Sequence, residues 1–360
     1  MAYNLKNLIF IIQILSAATL LCLNNNVLAQ SQKTEKIIGG TPSSPTQWPW
    51  MAGLVKQDLS PFDGIFCGAS LIASKWVLTA AHCVVDESSK SFDVIINYAQ
   101  LDKSSGERLT VKHIIIHPSY DNVTLDNDLA LLELSTPSAQ QPITFLSSYS
   151  SQDSARNPVI ALGWGSISDT KNIYPTELHQ VDLSIVDNAE CSKNLPDVTE
   201  NMLCAKTIST KGDTCRGDSG GPLLVFDEES KSWRLVGITS WGIGCAIPEF
   251  SGVYTRVKNY ASFISDNICS DDETPAPAIL SLDIDGLLVT ANWHSPNNDY
   301  GHRLNYAPFP QAQPIRSIDL NKLTQFSTLL APGNAFYVAI TNYNGNCTSN
   351  FSNIKHFIIK

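Results

Sequence analysis

The sequence predicts an all-β protein that has one terminal helix and ends in a second, smaller β domain. Short apolar runs alternate with turns rich in Ser, Gly, Pro and Asp, which is typical of antiparallel strands. The clearest of these runs cover residues 94–96, 113–116, 129–134 and 159–162. Helical spacing is found in one later segment, through Val257, Tyr260, Ala261 and Ile264.

The N-terminal residues 1–29 are typical of a secretory signal peptide. Lys6 precedes an apolar run over residues 8–23, and Val27-Leu28-Ala29 forms a small-residue cleavage site. The apolar run is short, and no later stretch is long enough to span a bilayer. We therefore expect a secreted protein without a membrane span, extracellular or, in a bacterium, periplasmic.

A serine flanked by glycines lies in Gly217-Asp218-Ser219-Gly220-Gly221-Pro222. Glycine permits strained backbone conformations and close approach of a substrate, so the N–H groups of Gly217 and Ser219 could together stabilise a developing oxyanion. This motif makes Ser219 the candidate nucleophile.

A serine hydroxyl needs a base to accept its proton, and the base needs an acceptor that orients it. His82 follows the apolar run 76–78 and precedes a cysteine, and Asp128 leads directly into the apolar run 129–134. A carboxylate at the start of a buried strand requires a hydrogen-bonding partner, which an imidazole would provide. The chain order His, Asp, Ser indicates a catalytic triad of His82, Asp128 and Ser219.

From Ile37 to about Cys269 the chain resembles a trypsin-like serine endopeptidase of the chymotrypsin fold. The resemblance implies two six-stranded antiparallel barrels, closed by a C-terminal helix, with the triad in the cleft between them. Besides the motifs around His82 and Ser219, the matching segments are Ile37-Ile38-Gly39-Gly40, Trp48-Pro49-Trp50, Cys67-Gly68-Ala69-Ser70-Leu71-Ile72, Gly163-Trp164-Gly165, Ser240-Trp241-Gly242 and Gly252-Val253-Tyr254-Thr255-Arg256-Val257.

The same resemblance places Asp213 at the floor of the primary specificity pocket. A buried carboxylate there would select a Lys or Arg side chain, because a neutral side chain would leave the charge desolvated and unpaired. The pocket walls are expected to be Ser240, Trp241 and Gly242 on one side and Gly252 on the other.

Activation is expected to follow cleavage between Lys36 and Ile37. In this family the new α-ammonium pairs with the aspartate before the nucleophile, here Asp218, and thereby orders the oxyanion site. Residues 30–36 would then be a short propeptide. Lys36 matches the specificity expected from Asp213. Two activation routes therefore fit the sequence: cleavage by the enzyme itself and cleavage by another trypsin-like enzyme.

The chain has nine cysteines, and Cys22 lies in the leader, which leaves eight in the mature protein. An even number in a secreted chain indicates disulfides. The resemblance implies pairs Cys67–Cys83, Cys191–Cys204 and Cys215–Cys245. Cys269 and Cys347 remain, and they could pair across domains, pair between molecules or stay free.

A polar, proline-containing linker over residues 270–277 separates the protease unit, residues 37–269, from residues 278–360. Val289, Ala291 and Trp293 alternate on one face of a predicted strand, and residues 303–306 and 336–340 predict two more. The tryptophan strand and the Leu330-Ala331-Pro332-Gly333 turn are similar to a fibronectin type III or Ig-like β-sandwich. Two roles are compatible with this domain: a passive spacer, and a module that binds a substrate or a surface.

The formal net charge of −10 and the absence of a basic cluster make nucleic acid an improbable partner. Trypsins often bind calcium after the histidine, but the corresponding stretch offers Asp102 and Glu107 alone, and we expect no metal and no cofactor in catalysis. The expected partners are peptide or protein substrates with Lys or Arg at the cleaved bond, and protein inhibitors, with the chain a monomer.

Three functions fit these residues. The first is a zymogen-derived endopeptidase that cuts after Lys or Arg through an acyl-enzyme. The second is a binding or adhesion protein with a vestigial protease, and the third is a serine esterase. Matched lysine, arginine and leucine peptide substrates would separate them.

Overall fold

In the computed structural model, residues 40–43, 45–103, 106–146, 150–207, 212–228, 230–269 and 274–360 are described. The predicted leader, the propeptide, and the activation residues Lys36 and Ile37 lie outside these described residues.

Six of the first seven strands close into an antiparallel barrel in the order β2-β3-β4-β7-β6-β5. The strands are β1 (Thr41–Pro42), β2 (Met51–Lys56), β3 (Ile65–Ala73), β4 (Trp76–Thr79), β5 (Phe92–Ile96), β6 (Glu107–Ile116) and β7 (Ala130–Leu134). Register shifts in the β2–β3, β3–β4 and β6–β7 pairings mark bulges, which bend strands and so help a sheet to close. All five residues of β5 are buried, which fits the apolar run 94–96, and the buried Asp93 accepts a hydrogen bond from Arg108 at 2.7 Å.

The next seven strands form the second barrel and its flanking pairs. They are β8 (Thr144–Phe145), β9 (Pro158–Gly163), β10 (His179–Val186), β11 (Met202–Lys206), β12 (Pro222–Asp227), β13 (Ser232–Trp241) and β14 (Gly252–Arg256). The ring runs β9-β10-β11-β14-β13-β12 and closes because β9 pairs with both β10 and β12. Outside the ring, β1 pairs with β10, and β8 pairs in parallel with β13.

Helices are short. Single-turn helices α1 (Pro61–Gly64) and α2 (Asn188–Cys191) precede a 3₁₀ turn at Val257–Tyr260 and the terminal helix α3 (Ala261–Ile268). The side chains of Ile264 and Ile268 in α3 are buried against the protease core. The predicted fold, two six-stranded antiparallel barrels and a terminal helix, is confirmed.

The C-terminal residues form two further sheets that share one hydrophobic cluster. The strands are β15 (Ile279–Asp285), β16 (Leu288–His294), β17 (Gly301–Pro308), β18 (Arg316–Asn321), β19 (Gln325–Leu329), β20 (Ala335–Asn344), β21 (Cys347–Thr348) and β22 (Lys355–Ile358). One sheet has the order β15-β16-β19, and the other has β18-β17-β20-β21 with β22 also on β20. Val289, Ala291 and Trp293 are buried while their neighbours in β16 are not, as the alternation predicted.

Four disulfides join Cys67 to Cys83, Cys191 to Cys204, Cys215 to Cys245 and Cys269 to Cys347. The last of these links the end of α3 to β21, and therefore joins the protease unit covalently to the C-terminal domain. An ion pair crosses the same boundary, where Arg234 of β13 lies 3.6 Å from the carboxylate of Asp319. In the part of the chain that the structure describes, no helix combines the length and apolarity needed to cross a membrane.

Candidate active site

His82 lies on a 3₁₀ turn, Ala81–Cys83, that directly follows β4. Its backbone N–H donates to Asp128 Oδ1 at 2.9 Å, and its Nδ1 lies 2.7 Å from Asp128 Oδ2. An imidazole that donates from Nδ1 to a carboxylate keeps Nε2 unprotonated in its neutral form. This arrangement leaves Nε2 available as a proton acceptor.

Asp128 is fully buried, and every oxygen of the residue accepts a hydrogen bond. Besides the two bonds from His82, Ser240 Oγ donates to Oδ2 at 2.5 Å, and Thr255 Oγ1 donates to the main-chain carbonyl at 2.7 Å. Ser240 lies at a register shift between Thr239 and Trp241 in the β13–β14 pairing. The bulge turns the Ser240 side chain toward Asp128, a contact that sequence reasoning missed because it placed Ser240 in the pocket wall.

The loop that carries Ser219 lies directly against the first barrel. Gly68 N donates to the Ser219 carbonyl at 2.7 Å, and Gly220 N donates to Thr239 O at 2.8 Å. Gly220 has φ +79°, and a Cβ there would lie 2.3 Å from Thr79 Oγ1. Glycine is required at this position because the loop packs against the strand that ends just before the histidine turn.

Within the described part of the chain, no hydrogen bond joins Ser219 Oγ to the imidazole of His82. An indirect chain of contacts links the two segments, because Gly68 N donates to the Ser219 carbonyl and its neighbour Cys67 is bonded to Cys83, the residue after His82. Catalytic hydrogen bonds without substrate are often long and shorten in the substrate complex.

Asp218, the residue before the candidate nucleophile Ser219, is completely buried. Its Oδ1 accepts from Gly165 N at 2.7 Å, and its Oδ2 accepts from Cys215 N at 2.8 Å. Burial raises the pKa of the Asp218 carboxyl to about 7, against the effect of these two donors. No cation among the described residues pairs with it.

The Gly163-Trp164-Gly165 motif forms the space that Asp218 occupies. A Cβ on Gly163 would lie 1.9 Å from Asp218 Oδ1, and one on Gly165 would lie 2.4 Å from Oδ2. Next to Asp218, Gly217 has φ +95°, a conformation that side chains other than glycine rarely adopt.

Asp213 is buried, and Gly252 lies against its carboxylate. Its Oδ2 accepts from Ala246 N at 3.1 Å, whereas its Oδ1 has no hydrogen-bond partner among the described residues. A Cβ on Gly252 would lie 2.9 Å from Oδ1, and one on Gly242 would lie 3.9 Å from the Cα of Gly252. A side chain at Gly252 would therefore collide with the Asp213 carboxylate, whereas one at Gly242 would make an ordinary contact.

Burial raises the pKa of the Asp213 carboxyl to about 6, although hydrogen bonds from Ala246 and Thr214 oppose the shift. Trp241 is half-buried and pairs with Val253, the residue after Gly252. The Cys215–Cys245 disulfide ties the loop before the nucleophile to the opposite wall.

Among the described residues, the potential metal-ligand atoms of Cys67, His82 and Cys83 lie within 4.8 Å of one another. Both sulfurs belong to a disulfide and cannot act as thiolate ligands. Asp102 and Glu107 are the two acidic residues in the stretch where trypsins often bind calcium. One carboxylate oxygen of Glu107 accepts hydrogen bonds from Ala139 N and Gln140 Nε2.

The sequence matches the trypsin family over residues 37–264, a range that ends inside α3. It is 41% identical to trypsin Blo t 3 of Blomia tropicalis over 210 residues, 55% of this chain and 76% of that protein. It is 33% identical to trypsin Tyr p 3.0101 of Tyrophagus putrescentiae over 265 residues, 71% of this chain and 88% of that protein. It is 34% identical to ovochymase of Halocynthia roretzi over 250 residues, 65% of this chain and 16% of that protein. With two closed barrels and a serine, histidine and aspartate at their junction, the chain belongs to the trypsin family of serine endopeptidases.

Proposed function

We propose that the chain is a secreted endopeptidase, made as a zymogen, that hydrolyses peptide bonds after Lys or Arg. The observation that carries the specificity is Asp213 Oδ1, a buried carboxylate oxygen that has no hydrogen-bond partner among the described residues and lies against Gly252, in the recess that we assign as the specificity pocket. A guanidinium or ammonium group in this recess would supply both the missing donor and the missing charge. A neutral side chain would supply neither.

In the proposed mechanism, the triad transfers the acyl group of the substrate first to Ser219 and then to water. Ser219 Oγ attacks the carbonyl carbon of the substrate while His82 Nε2 accepts its proton, and Asp128 stabilises the imidazolium that forms. The N–H groups of Gly217 and Ser219 bind the oxyanion, and His82 then protonates the leaving amine. Water, activated by the same imidazole, releases the acyl group from Ser219.

The proposed zymogen step rests on Asp218. The buried Asp218 carboxyl accepts two backbone hydrogen bonds, and no cation among the described residues lies beside it. A positive charge placed next to this carboxylate would therefore stabilise it. The α-ammonium released by cleavage between Lys36 and Ile37 has the required charge. Its arrival would hold the Gly217 N–H in the oxyanion site.

Hydrolysis of matched peptide anilides that end in lysine, arginine or leucine tests this function after limited proteolysis. We expect the lysine and arginine substrates to react about a thousandfold faster than the leucine substrate. Asp213→Asn should remove that preference, and Ser219→Ala should lower turnover on the order of 10⁶-fold. Equal rates on all three substrates would refute the specificity, and a fully active Ser219→Ala protein would refute the mechanism.

N-terminal sequencing of the secreted protein tests maturation in the same preparation. We expect the mature chain to begin at Ile37. If the Ser219→Ala chain retains its propeptide when it is produced alone, whereas the native chain loses it, the enzyme activates itself.

A further inference from the structure

The two sheets of the C-terminal domain leave a gap between them at one side. β18 and β19 follow one another in the chain, but β18 is an edge strand of the larger sheet and β19 is an edge strand of the three-stranded sheet. A gap of about 380 Å³ lies between the sheets at these two edges, and we call it the sandwich gap. Ile318 lines it from β18, and Phe326 and Thr328 line it from β19. Its volume falls within the range of ligand-binding pockets in proteins.

The sandwich gap is lined mainly by apolar side chains that the fold leaves partly exposed. Six partly buried side chains pack against the hydrophobic cluster of this domain, and all six of them line the gap. They are Leu282, Tyr306, Ile318, Phe326, Leu330 and Phe336. Apolar surface in contact with water is unfavourable, and a ligand that covered it would recover that free energy. The gap is therefore suited to an apolar chain.

One charged residue, Arg316, lines the sandwich gap. Arg316 pairs with Tyr306 in the register of β18 on β17, and Ile318 pairs with Leu304 two positions further on. Because alternate residues of a strand share a face, the side chain of Arg316 leaves the sheet on the same face as Ile318. Arg316 is exposed, and its guanidinium makes no ion pair or hydrogen bond within the described part of the chain. A cation with free donors thus lies at the rim of an apolar gap.

The carboxylates on the other side of Arg316 face different cations. Arg316 also borders a cleft against the protease unit, where the two carboxylates are Asp227 and Asp319. Asp227 lies 3.5 Å from Arg234, and Asp319 lies 3.6 Å from Arg234 and 3.7 Å from Arg303. The described residues that line the sandwich gap include no carboxylate. The charge of Arg316 is therefore available to an anionic ligand.

We propose that the sandwich gap binds a free fatty acid, with the acyl chain between the sheets and the carboxylate at Arg316. The acyl chain covers the partly buried aromatic and aliphatic side chains. At the rim, a planar guanidinium binds both carboxylate oxygens through two parallel hydrogen bonds. A single-chain ligand fits best, because the volume is near the lower limit of ligand-binding pockets. The site contains no residue of the proposed triad, so it can be tested in an inactive protein.

Isothermal titration of the full chain carrying Ser219→Ala tests the proposal. The probes are octanoate, decanoate, decanol and decyltrimethylammonium, each below the concentration at which it forms micelles. We expect decanoate to bind about tenfold more tightly than octanoate, because two more methylene groups leave water. It should also bind about threefold or more tightly than decanol, and the cationic probe should bind most weakly of the three decyl compounds. Absence of decanoate binding, or equal affinities for decanoate and either octanoate or the cationic probe, would overturn the proposal.

Thr328→Phe tests whether the acyl chain lies in the sandwich gap. Thr328 pairs with the buried Val289 on the inner face of its sheet, so the added ring fills part of the gap. It should weaken decanoate binding about tenfold or more. Ser327→Phe is the matched control, since it adds the same ring at an exposed position on the outer face, and it should leave binding unchanged. Equal affinities of these two variants would show that decanoate binds elsewhere.

Arg316→Gln tests the anion site, and thermal unfolding checks that this variant is folded. It should lower the affinity for decanoate to about that for decanol and leave decanol binding unchanged. Lys355→Gln, which removes an exposed charge of the same domain outside the gap lining, should change neither affinity. An inward-pointing charge on an edge strand can instead serve to prevent pairing with another chain. In that case the Arg316 variant would bind decanoate as tightly as the unchanged chain, and the proposed carboxylate site would be refuted.

Discussion

Asn346 of the C-terminal domain donates from Nδ2 to the main-chain carbonyl of Ile72 in β3, at 2.5 Å. The same amide donates to Ile143 O at 3.0 Å and accepts from Phe145 N at 3.1 Å. It therefore pairs with residues 143 and 145 much as a neighbouring strand would. One side chain thus joins the first barrel and the segment between the barrels to the β domain.

We expect Asn346→Asp to destabilise the chain by about 1–3 kcal/mol, because a carboxylate would face two carbonyl oxygens that have lost their donor. Thermal unfolding at neutral pH measures the loss. Asn344→Asp is the matched control, since Asn344 is exposed at the end of β20. Equal unfolding temperatures for the two variants would contradict a structural role of the Asn346 amide.

The same residue begins the sequon Asn346-Cys347-Thr348, and two further sequons begin at Asn122 and Asn350, which are both exposed. A glycan on Asn346 Nδ2 would displace the contacts with Ile72 and Ile143. In a glycosylating host we therefore expect Asn122 to carry a glycan and Asn346 to remain free. Peptide mass mapping tests this. Thr348→Ala removes the Asn346 sequon, and we expect the intact protein to lose no glycan mass when this change is made.

The pocket residue Asp213 should give substrate selectivity a dependence on pH. Because burial raises the pKa of its carboxyl to about 6, the free enzyme loses the charge as the pH falls through that value. The ratio of kcat/KM for arginine and leucine substrates should then fall about tenfold for each further pH unit. The ratio cancels any titration that affects both substrates. A ratio that stays constant down to pH 4.5, or the same decline in Asp213→Asn, would contradict the assignment.

The fold and the proposed triad could be predicted because their signals are local. His82, Asp128 and Ser219 each lie in a short motif, and the strands are apolar runs bounded by turns. The roles of other residues depend on partners far along the chain. Ser240 reaches Asp128 across 112 positions through a bulge, and Asn346 reaches Ile72 across 274. No spacing rule indicates such contacts, since they arise when two barrels or two domains pack together.

Ser240 illustrates this difference and gives a further prediction. Ser240→Ala removes one donor from the buried carboxylate of Asp128, and we expect kcat to fall about tenfold with little change in KM. Ser70→Ala is a suitable control, because Ser70 is also buried, in β3, and is not among the residues that donate hydrogen bonds to the Asp128 carboxylate in the described structure. Steady-state kinetics on an arginine substrate measures both variants. A loss confined to KM would place Ser240 in substrate binding alone.

Asp218 should make the stability of the uncut chain fall as the pH rises. The pKa of its carboxyl is about 7 in the folded chain against an ordinary value of 3.8, so between these values the folded state binds more protons than the unfolded state. The free energy of unfolding therefore decreases from about pH 4 to pH 7. Urea unfolding of the Ser219→Ala chain across this range measures the slope, and Asp218→Asn should flatten it. Cleavage at Lys36 supplies an ammonium that stabilises the charged carboxylate, so the cut chain should lose this decline. The same slope before and after cleavage would show that no such ion pair forms.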